Sequence, residues 1–302
     1  MENQLQSIPE SELPARRPPF SSTLRWVELA VRAVLELRRF RKRAMDLRAT
    51  YPDDDSVSFG FERECLANLN EMMSKGLNWE ITHNEDLPEK GDGDRFVYIA
   101  NHPTLTTGWI WAHFMAEHFA YNTVAVGKKE IITRPDLRWI LGDVMKAAGK
   151  GIFIDRDKTK REETAANIRR QIKRVLKPDS SVILLADAHR PYDRRLKKEH
   201  KKWVDFDTEE WMTETCFPRS GELFAIGQGV LEESDVRFLD CTIAEPKPVQ
   251  QYGARLHFDV KEVTREELFG NPESVDHLKE TLASFWKRKN EIIRDIRSGS
   301  AQ

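Results

Sequence analysis

Only three cysteines, Cys65, Cys216 and Cys241, stand in 302 residues. They are far apart and none forms a CxxC pair. That argues against a disulfide framework or a zinc knuckle and for a reducing compartment. Long apolar runs are missing too: no stretch approaches the roughly 20 apolar residues needed to span a bilayer. Residues 1–20, with their Pro, Ser and Glu, hold no apolar signal-peptide core and read as a disordered lead-in. There is no GxSxG elbow, no GxGxxG after a strand and no phosphate-binding P-loop. Those absences remove the commonest hydrolase, dinucleotide and nucleotide readings. Nor is there an excess of one charge: 48 Lys and Arg face 50 Asp and Glu, for a formal net charge of -2. With no recognition motif either, nucleic acid is not an expected partner.

What is present is a heavily charged globular composition, 39% hydrophobic and 32% charged. The chain is long enough to bury a substantial core. Residues 21–49 carry one long helical pattern, with Ser21, Ser22 or Thr23 available as a cap. Leu24, Val27, Val31 and Val34 share one stripe, and Trp26, Ala30, Ala33, Leu37 and Phe40 make an adjacent one. Eight Lys or Arg against three acids make this helix basic inside a nearly neutral protein. Such a helix fits an anionic membrane surface, or it packs on the protein and solvates its charges.

A second helix is expected over residues 61–75, and the period then changes. Seven runs read as strands: NWEITH, RFVYIA, NTVAVG, GIFID, SVILLAD, VRFLDCTIA and ARLHFDVKEV. Helices are expected between them at 106–119, 135–149 and 160–177, and a last one at 274–297. Strands alternating with helices imply an α/β fold, a central mixed β-sheet flanked by helices, behind an N-terminal helical pair. The expected divisions are a disordered 1–20, a helical 21–78 and an α/β domain over 79–302.

In such sheets, ligands gather beyond the C-terminal ends of the strands. Three strands end in polar residues: Asn101-His102, Asp155-Arg156-Asp157, and Asp187-Ala188-His189-Arg190. If these strands are neighbours, a base and two guanidinium groups surround one crevice, and arginine forks suit phosphate or carboxylate oxygens. The remaining histidines offer less. His113 and His118 are five apart on a helix, the wrong spacing for stacked metal ligands, and His83, His200, His257 and His277 are isolated. No metal site is expected.

The order NHPTLT, GKKEI, GIFIDR, LLADAHRP and FPRSGELFAIG resembles the glycerophospholipid acyltransferases, a family that includes 1-acylglycerol-3-phosphate and glycerol-3-phosphate acyltransferases. The resemblance runs from about Trp79 to Gly229, half the chain, and GIFIDR with its upstream helix is its most specific element. It implies acyl transfer from acyl-CoA or acyl-carrier protein, as donor substrate rather than cofactor, to a hydroxyl of a lysophospholipid or glycerol-phosphate-like acceptor. It implies a cytoplasmic protein, peripheral on the inner face of a membrane. By position, His102 is the general base, and Arg156 and Arg190 bind phosphate. Gly151 and Ile152 line the substrate path, and Arg219 is a weaker anion contact standing where the family has lysine. Asn101, Thr107 and His189 complete the expected substrate-binding set.

The chain departs from the pattern where the family has an aspartate after four intervening residues: Thr107 stands there. A carboxylate at that place fixes the imidazole tautomer and stabilises the imidazolium, so its loss is worth several kcal/mol unless another acid replaces it. Asp187 and Asp155 are the candidates, and Asp187 is taken as catalytic beside His102. Without a replacement, the alternative is a catalytically impaired relative that binds an acyl or phosphate ligand, or a partner protein. A long insertion, residues 191–218, sets six basic residues from Arg194 to Lys202 ahead of five acids from Asp205 to Glu214. A lid or membrane contact is conceivable, but such paired blocks of charge favour a self-neutralising solvated loop.

Overall fold

The protein is described by a computed structural model covering residues 20–51, 67–69, 71, 72, 74–76, 78–103, 107–119, 122–135, 138, 151–154, 161–187, 196, 203, 212, 214–231, 235–244, 253 and 255–298. Helix α1 spans Phe20–Thr50, and residues 67–69, 71, 72 and 74–76 are helical beside it. The elements that follow are β1 (Glu80–His83), β2 (Arg95–Ala100), α2 (Thr107–His118), β3 (Asn122–Lys128), α3 (Glu130–Thr133), β4 (Gly151–Ile154) and α4 (Arg161–Val175). Then come β5 (Ser180–Leu185), α5 (Ser220–Gly229), β6 (Val236–Ala244), β7 (Arg255–Val263), α6 (Arg265–Phe269) and α7 (Val275–Ser298). Each of the seven expected strands forms. Of the expected helix 135–149, only residues 135 and 138 are described, and the lead-in 1–19 also lies outside the described residues.

The strands form one sheet in the order β1-β7-β6-β2-β5-β3-β4. Neighbours are parallel except for the antiparallel pair β6–β7. The sheet is therefore mixed, and β2 is its central strand. Residues Phe96–Ala100 are fully buried because both faces are covered. Val97 and Ile99 face a core built with Ile168 and Ile172 of α4, Leu223 and Ile226 of α5, and Leu282 and Trp286 of α7. Phe96, Tyr98 and Ala100 face the opposite core with Ile110, Trp111, Phe114 and Met115 of α2. The ring of Phe114 stacks on Phe258 of β7 at 4.2 Å.

Helix α5, which the strand and helix patterning did not predict, lies close against α4. A Cβ added at Gly229 would stand 2.3 Å from Ile172 Cγ2 and 3.1 Å from the Arg169 Cα, so this approach requires glycine.

Helix α1 divides its two predicted stripes. Leu29, Ala33, Leu37 and Phe40 are buried, the last three against Leu69. The other stripe stays open: Leu24, Val27 and Val31 are 57%, 52% and 55% exposed, and Leu35 continues it at 50%.

The charged insertion is not a wholly solvated loop. Leu196, Trp203 and Met212, spaced among the charges, are buried. Trp203 meets Phe217 with ring centroids 4.9 Å apart. Trp203 and Met212 join the core that also holds α4, α5 and α7, and that corrects the expectation of a wholly solvated loop; the charged residues 197–202 and 205–210 lie outside the described residues.

Candidate active site

The site begins where β2 ends. Its backbone pairing with β6 runs to Ala100 opposite Cys241. Beyond that point a side chain takes over from the backbone. Asn101 is 1% exposed; its Nδ2 donates to the Ile243 carbonyl at 3.0 Å, and its Oδ1 accepts from the Ile243 N–H at 2.8 Å. The amide imitates one more strand residue and extends the ladder by a step. Both polar ends of Asn101 are thus taken up by β6, so it holds the loop rather than reaching outward.

The opposite side of the loop is held by β5, the other neighbour of β2. The Ala186 N–H donates to the Ala100 carbonyl at 3.0 Å, and the Asp187 Oδ2 accepts from the backbone N–H of His102 at 2.9 Å. Asp187 is 1% exposed. A carboxylate at that depth forms strong, charge-assisted hydrogen bonds, so the contact fixes the height of His102 above the sheet. The His102 residue is half-buried and its Nδ1 is shielded from solvent.

Arg219 arrives at the same place from a distant part of the chain. Its backbone N–H donates to the Ala186 carbonyl at 2.9 Å, and it occupies the extended position that opens α5, with φ -106° and ψ 119°. The end of β5 therefore gathers Asp187, the His102 loop and Arg219. The other candidates divide. Thr107 is the first residue of α2. Gly151 and Ile152 fill the first half of β4, and Ile152 is wholly buried in the core, so the structure brings neither to the rim. Arg156, His189 and Arg190 lie outside the described residues. Their strands point the same way, since β2, β5, β3 and β4 are mutually parallel. Yet β5 is next to β2, whereas β4 stands three strands away, about 14 Å at ordinary strand spacing.

At the far end of this rim, a groove of about 260 Å³ opens between α3, β4 and the flank of α4. Lys129 and Arg170 line it with Glu163, and Ile132 and Phe153 form its apolar wall. Glu163 offsets one of its two cations, which leaves the lining with a single excess positive charge.

Other reactive side chains are poor rivals to His102. Burial pushes the Cys241 thiol and the Tyr98 phenol well above their usual values, so neither is a ready nucleophile or base. His83 and His118, far apart in sequence, touch with ring centroids 5.1 Å apart, and His257 Nδ1 lies 3.0 Å from the Thr82 hydroxyl. These histidines are not isolated, but they sit at the β1–β7 side of the sheet. Among the described residues, no group of three or more His, Cys, Asp or Glu is arranged to hold a metal ion.

A family model for Acyltransferase matches residues 78–205, the segment that carries β1 to β5 and the His102 loop. No curated protein matches the chain. Among solved structures, the chain is similar to the crystal structure of the 1-acyl-sn-glycerophosphate (LPA) acyltransferase, PlsC, from Thermotoga maritima. The TM-score is 0.55 at 13% identity, over 91% of this chain and 96% of that one, and the likeness is one of fold. Residues 78–205 of the chain thus match the Acyltransferase family model, and the chain shares the fold of that enzyme.

Proposed function

We propose that this acyltransferase moves a fatty acyl group from acyl-CoA or acyl-carrier protein to a hydroxyl of a lysophospholipid or glycerol-phosphate-like acceptor, with His102 as general base. The observation that carries the reading is the His102 loop: it leaves the central strand inside the family segment and is clamped between Asp187 and Asn101. The acceptor oxygen attacks the thioester carbon as the imidazole takes its proton. The carbonyl oxygen gains the charge, and collapse expels the thiolate, which leaves protonated as the thiol. No covalent enzyme intermediate forms. Asp187 supplies the carboxylate that the family pattern has, and this chain lacks, at position 107. Arg190, just beyond the adjacent strand β5, holds the acceptor phosphate. Arg219 at the start of α5 and Arg156 beyond β4 are further anion contacts.

The acceptor is met at an anionic membrane surface through α1. The open stripe Leu24, Val27, Val31 and Leu35 continues by the same three- and four-residue steps to Arg38 and Lys42. An apolar face followed by cations suits the boundary between acyl chains and acidic headgroups. No helix among the described residues is long and apolar enough to cross a membrane.

The test is label transfer. Purified protein, radiolabelled oleoyl-CoA and lysophosphatidate in phosphatidylglycerol vesicles should yield labelled diacyl lipid. His102→Ala should lower the rate by about 100-fold or more with the circular dichroism spectrum unchanged. An unchanged rate would remove His102 from the mechanism.

A further inference from the structure

Helix α7 stands outside the family segment, yet it ends a chain of contacts that reaches the His102 loop. Lys289 is 0% exposed. Its Nζ donates to the Cys241 carbonyl at 2.7 Å, and it lies 3.4 Å from both the Ile99 carbonyl and the Thr242 hydroxyl. It also forms an ion pair with Asp240, which is 1% exposed. Arg288 beside it bridges the second Asp240 oxygen at 3.1 Å and Asp259 at 2.9 Å. Two cations and two carboxylates close a neutral network.

A buried ion pair is a poor way to add stability. Desolvating the charges offsets much of their attraction, and apolar residues of similar volume often serve as well or better. The location of this pair points to another use. Ile99 belongs to β2 and Cys241 to β6, and the ammonium touches carbonyls of both strands at the last step before their ladder ends. The next residues are Asn101, locked to Ile243, and His102, locked to Asp187. The loop is thus held from β5, from β6 and from α7 beneath.

We propose that Lys289 is a positioning residue: through the β2–β6 seam it sets the height and orientation of the loop that presents His102. The proposal rests on the reading of His102 as the base only in what it predicts for turnover; the clamp itself is a physical property of the loop. Lys289→Met alone would leave the buried Asp240 carboxylate with half its pairing, held by Arg288 alone, so the informative variant is Lys289→Met/Asp240→Asn, which leaves Arg288 paired with Asp259. Deuterium exchange of the intact protein should show the amides of His102 and Ile243 exchanging at least about tenfold faster, with those of α4 unchanged. With oleoyl-CoA and lysophosphatidate, kcat should fall about 10- to 100-fold while KM for both stays put, since misplacement by about 1 Å costs that much. Lys289→Gln/Asp240→Asn, whose amide still donates to one strand carbonyl, should recover part of both effects. If the methionine pair does not fold, this glutamine pair is compared with Asp240→Asn in the same two measurements. Exchange at His102 unchanged, or raised equally across the sheet and α4, overturns the proposal. A parent protein that transfers no acyl group defeats the functional reading above, and the exchange result still decides the clamp.

Discussion

The carboxylate of Asp187 accepts the backbone N–H of His102 at 2.9 Å, joining the ends of adjacent parallel strands across 85 residues of sequence. A buried N–H that loses its acceptor costs about 1–3 kcal/mol. Asp187→Ala should therefore lower stability by that amount in urea unfolding, and Asp187→Asn, which keeps an acceptor oxygen, by clearly less. Acyl transfer separates the two roles of the carboxylate. If its charge steadies the imidazolium, Asp187→Asn is about 10- to 100-fold slower despite its near-normal stability, at about 1.4 kcal/mol per factor of ten. A full rate in Asp187→Asn would leave Asp187 only its hold on the backbone.

Leu24 and Val31 are more than half exposed on α1, whereas Leu37 on the opposite face is 5% exposed. Leu24→Glu/Val31→Glu should leave the thermal midpoint within about 2 °C of the parent, because exposed positions contribute little to folding. Co-sedimentation with phosphatidylglycerol vesicles should weaken at least about tenfold, since each apolar side chain fully buried is worth about 1.5–3 kcal/mol. Raising salt should weaken the parent as well. Equal binding by parent and variant would exclude this face as the membrane contact.

Acid should weaken the fold in two stages. Burial pushes the His257 imidazole below its ordinary value of 6.5, Asp259 opposes that, and His83 adds to it. A group that takes its proton less readily when folded stabilises above the unfolded pKa, and that contribution is lost as pH falls through the lower folded value. The first loss therefore begins below about 6.5. The second belongs to carboxylates whose values are depressed. For Asp94, burial works upward but the Gly91 N–H and Arg237 outweigh it. For Glu267, the Thr264 N–H leads the depression within a capping box. Their contribution is present at neutral pH and fades below about 4.5. The urea midpoint measured from pH 8 to pH 3 should show both stages, and His257→Gln should flatten the first alone.

The strands were readable because each is a short aliphatic or aromatic run bounded by turn residues, and that pattern is local. The RFVYIA run is apolar throughout because its strand is covered on both faces. His102 stood out for the same reason: a polar residue directly after such a run lies at a strand end. Helix α5 was not readable. SGELFAIGQG holds three glycines, and its buried residues include Leu223, Ala225, Ile226 and Gly227, so no one-sided stripe marks it. The insertion misled in the other direction, because its dense charge obscured how far Trp203 and Met212 reach into the core.

Composition and periodicity determined the alternating elements, the basic helix and the histidine at the end of β2, and the order of short motifs carried the family resemblance. Tertiary structure alone decided that β5, and not β3 or β4, lies beside that strand, which put Asp187 next to His102 and set β4 three strands away. It alone decided which stripe of α1 stays bare, and that Lys289 and Asn101 meet partners 48 and 142 residues away. The reason is physical. Periodicity records which face of an element meets apolar surroundings, whereas the identity of the neighbour depends on strand order, and no residue encodes strand order by itself.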